Sequence, residues 1–328
     1  MNVPEPENIR KLLSPEEIRA FTRRSNLAGF SAVGFTWAVI ALSFVLLAKF
    51  PNPLTFVLVV VVLGGRQLAL AILMHEAAHR TLFENRFLND VLADWLCARP
   101  IGNDVSRYKK HHFRHHAKTG TPEDPDLGLA APFPTTRRSL VRKFARDLLG
   151  PTGLKRLVGQ WLIDCEVIEY TVSTDTKPIP RGDRTSWDYA RAGLRNGGGY
   201  LVTNAAMIAV LAAFGHPLLY LAWLTASLTT FNLFIRIRSL AEHACTELSS
   251  DPYKNTRTTR AGFLARATVA PIRVNHHLEH HLLVAVPYFR LPAVHRRLRE
   301  IGLVPAPPSY VDVLRLVSSR PETAPVTP

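Results

Sequence analysis

Residues 54–79 read LTFVLVVVVLGGRQLALAILMHEAAH. The run Leu54–Met74 is broken only by Arg66 and Gln67, and it reaches the ~20 residues needed to cross a bilayer. Val57–Leu63 has no polar face, whereas a long helix of a soluble protein carries one. The run ends directly in His75-Glu76-Ala77-Ala78-His79. One stretch therefore reads as a membrane span that delivers two histidines to its own end.

Working outward, Leu27–Phe50 is a second apolar run, uncharged until Lys49, and the Pro51/Pro53 turn separates it from the first. It begins too late and is too long for a cleaved signal peptide. Tyr200–Phe214 and Pro217–Ile235 flank Gly215-His216, a plausible tight reversal. The pattern predicts an all-α integral membrane protein with four transmembrane helices in two hairpins, at about 27–50, 54–74, 198–214 and 217–235. The third span is short unless Gly197–Gly199 join it.

The chain has 328 residues, 47% of them hydrophobic, with 40 Lys+Arg against 26 Asp+Glu and a net charge of +14. That apolar content excludes intrinsic disorder. Three cysteines without a C-x-x-C pair exclude a disulfide scaffold and suggest reduced thiols; Cys97, Cys165 and Cys245 read as small hydrophobes. Five basic residues precede the first run, twenty lie in 76–197 and thirteen in 236–328. The positive-inside rule then puts both termini and the 76–197 loop in the cytosol, with an inner-membrane location in a bacterium. The basic surplus is an orientation signal; no nucleic-acid-binding module accompanies it. The length would suit two soluble domains, but the pattern reads as one catalytic unit over 1–328. Its cytosolic helical cap comprises 76–197 and 236–321, and a Pro/Thr-rich tail, 322–328, is expected to be disordered.

Arg66, in mid-span, must face the bundle interior or water. It either lines the path to the site or pairs with a backbone carbonyl or another buried polar group.

The thirteen histidines cluster. Besides His75 and His79, there are His111-His112-Phe113-Arg114-His115-His116, a lone His243, and His276-His277-Leu278-Glu279-His280-His281. Residues three or four apart share a helix face, so His112, His115 and His116 converge, as do His277, His280 and His281. One tetrahedral site needs three or four ligands. Nine candidates suit two ions of higher coordination with open positions. Imidazole binds iron, copper, zinc and nickel alike, so softness does not select the metal. Carboxylates normally hold such imidazoles in one tautomer; Glu76, Asp90, Asp94, Asp124, Asp126, Glu242 and Glu279 are at hand, each also readable as an ordinary salt-bridged acid.

The order H-E-x-x-H, H-x-x-H-H, a lone His and H-x-x-H-H resembles the membrane fatty acid desaturase and hydroxylase superfamily from about Gly64 to Leu298. The resemblance includes Glu123-Asp124-Pro125-Asp126 and Pro287-Tyr288-Phe289-Arg290-Leu291-Pro292. It implies two non-haem irons, O2 as co-substrate and an external electron donor, ferredoxin-like or cytochrome-type, with its reductase. The implied ligands are His75, His79, His112, His115, His116, His243, His277, His280 and His281. Asp124 and Asp126 lie in the matching motif; Glu76, Glu242 and Arg66 are further candidates around the site. His111 and His276 are extra and would substitute if the register shifted by one. Ser239 stands where the acyl-CoA branch has an Asn, and the first box has three intervening residues where that branch has four. The chain looks closer to the bacterial, lipid-linked branch.

Phe87–Ile101 shows helical apolar spacing suited to the membrane interface. Helices are expected at about 137–149 and 153–171, followed by a loop. His295, on a helix near 292–300, reads as structural. No haem or iron–sulfur motif is present, so electrons must come from a separate protein, and the basic cytosolic face suits an acidic one. The leading reading is an O2-dependent desaturase of lipid acyl chains. The alternative with the same metals is a hydroxylase or ketolase of a lipid, carotenoid or other apolar substrate, because the outcome turns on substrate placement. A zinc protease with Glu76 as base leaves the other clustered histidines unexplained. A metal transporter would carry its ionisable groups within the spans, not at their cytosolic ends.

Overall fold

The computed structural model describes residues 9–173 and 175–320. The expected disordered tail, 322–328, lies outside them. Among the described residues the chain is helical, and its extended pairing is limited to the isolated bridges Ile168–Pro178 and Arg260–Ser309.

Local chemistry sets the first helices. Ser14 and Glu17 form a reciprocal capping box at the start of α1, Pro15–Thr22. Such a box satisfies two otherwise orphaned amides. Ser25 caps α2, Asn26–Lys49, and Asn52 followed by Pro53 opens α3, Pro53–Ala78. Proline is suited to this first helical position because its missing N–H is not needed there.

Among the described residues, three helical segments are long and apolar enough to cross a membrane: Pro15–Lys49, Pro53–Ala78 and Pro217–His243. In its most apolar window α3 is 67% buried against 39% for the other two, which makes it the central helix. It packs on α2 at one side and on the Pro217–His243 segment at the other.

The expected third span is not among these three. It lies inside a longer helix, α7, Ser186–Ala213, which starts with a Thr185–Asp188 capping box. Gly197–Gly199 do join it. The helix is long enough, but Arg191, Arg195, Asn196, the glycines and Asn204 dilute its apolar character. Gly215, with φ +81°, then turns the chain.

The fourth span differs too. It is divided into α8, Tyr220–Leu228, and α9, Thr230–His243, by non-helical Thr229. His243, expected beyond the span, is the last residue of α9.

The rest of the cap is short helices. Phe87–Ile101 is helical, as expected, but first underwound and then overwound: wide turns at Leu88–Leu92 and Asp94–Ala98, then a tight one at Arg99–Ile101. Phe87, Val91 and Trp95 face outward. After α4, Val105–Lys118, come α5, Arg137–Leu148, and α6, Pro151–Asp164. α6 ends seven residues before the expected 171, because Glu166 takes a left-handed φ of 57° and the chain doubles back through Ile179 N to Val167 O, 2.9 Å. Besides the single turns Leu127–Ala130 and Pro252–Asn255, the cap holds α10, Phe263–Ala267; α11, His277–Leu282; α12, Leu291–Glu300; and α13, Tyr310–Val317.

Arg66 is resolved by this packing. Its side chain is 6% exposed and Nη2 donates to the Ala267 carbonyl at 2.9 Å, at the end of α10. Of the two readings open in the sequence, the carbonyl pairing is the one seen. The neighbouring Gly65 packs so closely that a Cβ would collide with the same carbonyl.

Candidate metal centre

The last turn of α3 presents His75, 3% exposed, and His79 caps that helix. Their rings lie 4.9 Å apart, as i, i+4 neighbours should. α4 is started by Asp104, whose carboxylate accepts from Arg107 N at 2.8 Å, and by Asp94, which accepts from Val105 N at 2.8 Å. That start sets the phase of the helix: Tyr108, His111, His112 and His115 are buried, while Lys110, Phe113 and Arg114 face outward.

All nine sequence-predicted histidines come together, in two groups. His75, His79, His112, His116 and His280 form one; His115, His243, His277 and His281 form the other. Within each group the candidate ligand atoms lie within 4.8 Å of one another. In the first, His112 Nε2 is 2.9 Å from both His79 Nε2 and His116 Nε2, and His116 Nε2 is 3.0 Å from His280 Nε2. In the second, His277 Nε2 is 2.9 Å from His243 Nε2 and 3.1 Å from His281 Nε2. The groups adjoin, with the His116 and His281 rings 4.3 Å apart.

This convergence is costly without a cation. A neutral imidazole has one donor and one acceptor, so His112 Nε2 cannot serve both its neighbours. Both ring nitrogens of His75 are buried without a hydrogen-bond partner. Such atoms are expensive to leave unpaired, and inward lone pairs of this kind fit a metal site. Burial pushes His79 down to about 3, with the Lys109 charge adding to it, which keeps the imidazole in its neutral, ligating form.

The carboxylates sort by position. His115 Nδ1 is 2.8 Å from Asp124 Oδ1, and Asp124 also accepts from Asp126 N at 2.9 Å. Burial alone would lower the His115 pKa; the Asp124 hydrogen bond and the charges of Asp126, Asp124 and Glu242 together raise it. His111 Nε2 is 2.8 Å from Asp126 Oδ1, so His111 points at that carboxylate and stands outside the two groups. Glu242 takes Arg238 Nε at 2.7 Å and lies 3.6 Å from His277 Nε2. Glu76 accepts from Thr81 Oγ1 at 2.8 Å and from Tyr288 N at 2.9 Å. It thereby ties the 287–292 motif to the end of α3 and is engaged rather than free to act as a protease base. Asp90 pairs with Arg80 and Arg86, away from the histidines. Arg66 contacts α10, not the centre.

Several neighbours escaped sequence reading. Asn255 offers its backbone oxygen to His243 Nδ1 at 3.1 Å while its side chain bonds Thr119 O and Ser249 O. Tyr108 stacks on His112 at 5.1 Å. Only Arg238, four residues before Glu242, had a sequence signal, the i, i+4 charge pair. A small cavity touches His75, His277 and His280, members of both groups, and its other walls include Ile72, Ile272, Val274 and Leu291.

The comparisons agree with this geometry. The family model "Fatty acid desaturase" matches residues 51–311. The chain belongs to the fatty acid desaturase family. The match spans α3 through the start of α13 and so contains all nine grouped histidines. A dihydrorhizobitoxine desaturase of Bradyrhizobium elkanii is 28% identical over 243 residues, covering 71% of this chain and 65% of that protein. The chain thus spans less than two thirds of that relative's length. Family membership stands beside helices long and apolar enough to span a membrane.

Proposed function

We propose that this chain is an integral membrane desaturase that removes two hydrogens from adjacent methylenes of a lipid acyl chain, using O2 and two electrons from an external protein donor. The balance is acyl CH2–CH2 plus O2, two electrons and two protons to the alkene plus two water molecules. The observation that carries the reading is the pair of adjoining histidine groups, all nine histidines of the resemblance brought together.

His75, His79, His112, His116 and His280 would hold one iron; His115, His243, His277 and His281 would hold the other. Bound iron supplies the oxidising power that no side chain has for an unactivated C–H bond. The protein's part is positional. Asp124 orients His115, the Asn255 carbonyl orients His243, and Glu76 clamps the end of α3 to the 287–292 segment. Ile72, Ile272, Val274 and Leu291 pack beside His75, Glu76, His277 and His280 around a small cavity.

The second half of α7 is proposed as the remaining span, in keeping with outward-facing Leu201, Val202, Ile208, Val210 and Phe214 before the Gly215 turn. The chain would then work as one catalytic unit, with four spans, cytosolic termini and a cytosolic centre, fed by a ferredoxin-like or cytochrome-type donor and its reductase.

Expression in a desaturase-null host with a donor system is expected to give a new double bond in membrane lipids. Unchanged lipids, with iron-loaded protein and active donor, would overturn the proposal. Product carrying label from 18O2 would move the assignment to hydroxylation. A different substrate, as the relative's name describes for that enzyme, would appear as turnover of small molecules with lipids unchanged.

A further inference from the structure

A third set of donors lies outside the nine histidines. His276 immediately precedes α11, Glu279 lies within it, and His295 comes from α12. Their candidate ligand atoms all fall within 4.8 Å of one another. Glu279 is fully buried. His295 Nδ1 is 2.7 Å from Glu279 Oε1, and His276 Nδ1 is 3.8 Å from Glu279 Oε2. The Thr258 hydroxyl donates to Oε2 at 2.5 Å.

A hydrogen-bonded triad explains part of this. It accounts for His295 and Thr258, both of which satisfy the carboxylate. It does not account for His276, whose Nδ1 is buried without a hydrogen-bond partner. At 3.8 Å that nitrogen is too far for a hydrogen bond to Glu279. The separation is close to that of two donors on one ion, about 3.4 Å at the tetrahedral angle for bonds of roughly 2.1 Å. Unpartnered, inward-facing ring nitrogens are also what mark the nine-histidine groups, as at His75.

We propose that His276, Glu279 and His295 form a separate binding site for a divalent cation of the zinc type. Two imidazoles and one carboxylate suit zinc, leaving a fourth position for water. A cavity of about 480 Å³ reaches Glu279 and His295 and is lined also by Tyr253, Arg257 and Pro308, giving the ion and its water a route from solvent. On binding, the ion takes the Nδ1 lone pairs, and the His295 proton that faced Glu279 moves to Nε2, so that the imidazole stays neutral. The cation would tie α11, which carries three of the nine histidines, to α12. The site stands independently of the reaction proposed above.

The test is a metal count on the purified full chain. After saturation with iron, addition of zinc(II) and dialysis, iron plus zinc is expected to total three ions per chain. His276→Gln and His295→Gln are each expected to lose one ion and keep the other two. Zinc should raise the thermal midpoint of the wild type and leave both variants unmoved, because only a ligand bound to the folded state stabilises it. Cobalt(II) in place of zinc gives a tetrahedral nitrogen–oxygen absorption band that reads the site in the wild type without any substitution. A total of two ions with no cobalt band, or a third ion retained by both variants, overturns the proposal and leaves a hydrogen-bonded triad.

Discussion

His111 and His112 differ by one position in the sequence and by everything in their surroundings. The H-x-x-H-H spacing alone left the register of the second box open. The structure separates the two because Asp126 takes His111 at 2.8 Å while His112 joins the first group. His112→Ala is therefore expected to empty that group, and His111→Ala to retain both irons; elemental analysis of the two purified variants decides it. Asp124 acts one step further out. It holds the His115 Nδ1 proton, so that the opposite nitrogen faces the second group. Removing such a partner costs about 10–100-fold in metal affinity. Asp124→Ala should show that loss in competition against a chelator, with all nine histidines still present. Equal affinity in variant and wild type would make Asp124 a bystander. The tie from His243 to the Asn255 carbonyl had no counterpart in the sequence, since a backbone oxygen leaves no residue signature.

The long apolar helices were legible because their signal is local: each needs only its own composition to be recognised. Their interruptions were not. Thr229 breaks the last span where Arg156, some seventy positions away, donates to Ser227 O at 3.2 Å and Ser227 Oγ at 2.8 Å. The freed carbonyl accepts from Asn232 Nδ2 at 2.9 Å, five residues on, and also from Arg156, a partner that no window of sequence contains. α6 stops early for the same kind of reason, a left-handed Glu166 held by the returning chain. The Arg66 contact likewise joins α3 to a segment two hundred residues on. It answers for a carbonyl at the end of α10, where the helix itself supplies no partner. Arg66→Met should leave Ala267 O without its donor and destabilise the protein by about 1–3 kcal/mol, read as a lower thermal midpoint in detergent. Gly65→Ala should do more harm, because the collision there is with backbone that cannot rotate away. An unchanged midpoint in both would mean that α10 is not anchored on α3.

At the scale of the whole molecule, the proposed reading requires electrons to arrive from outside, and the surface of α4 narrows where. Its buried side carries His112 and His115, while its outer side shows Lys110, Phe113, Arg114 and Lys118. Phe113 is 43% exposed, yet its ring lies 5.3 Å from that of His79, and the Lys109 ammonium sits 5.2 Å above it. On the proposed function, an exposed aromatic touching a grouped histidine within a basic field would offer a short path inward and a landing surface for an acidic donor. Of the acids nearby, Asp90 is neutralised by Arg80 and Arg86, leaving Glu84 and Glu123 as exposed exceptions. Rim charges of this kind act chiefly on encounter rate and are screened by salt. With a ferredoxin-type donor, reduction of the iron-loaded protein should slow as ionic strength rises. Lys110→Glu combined with Arg114→Glu should raise the KM for the donor several-fold and flatten that salt dependence, with iron content unchanged. Phe113→Ala should instead slow reduction within the bound complex while leaving donor affinity nearly intact, since it removes contact with His79 and no charge. Stopped-flow reduction at several salt concentrations separates these effects. If the curves of both variants superimpose on the wild type, the donor docks on another face, and the aromatic in the second box is surface alone.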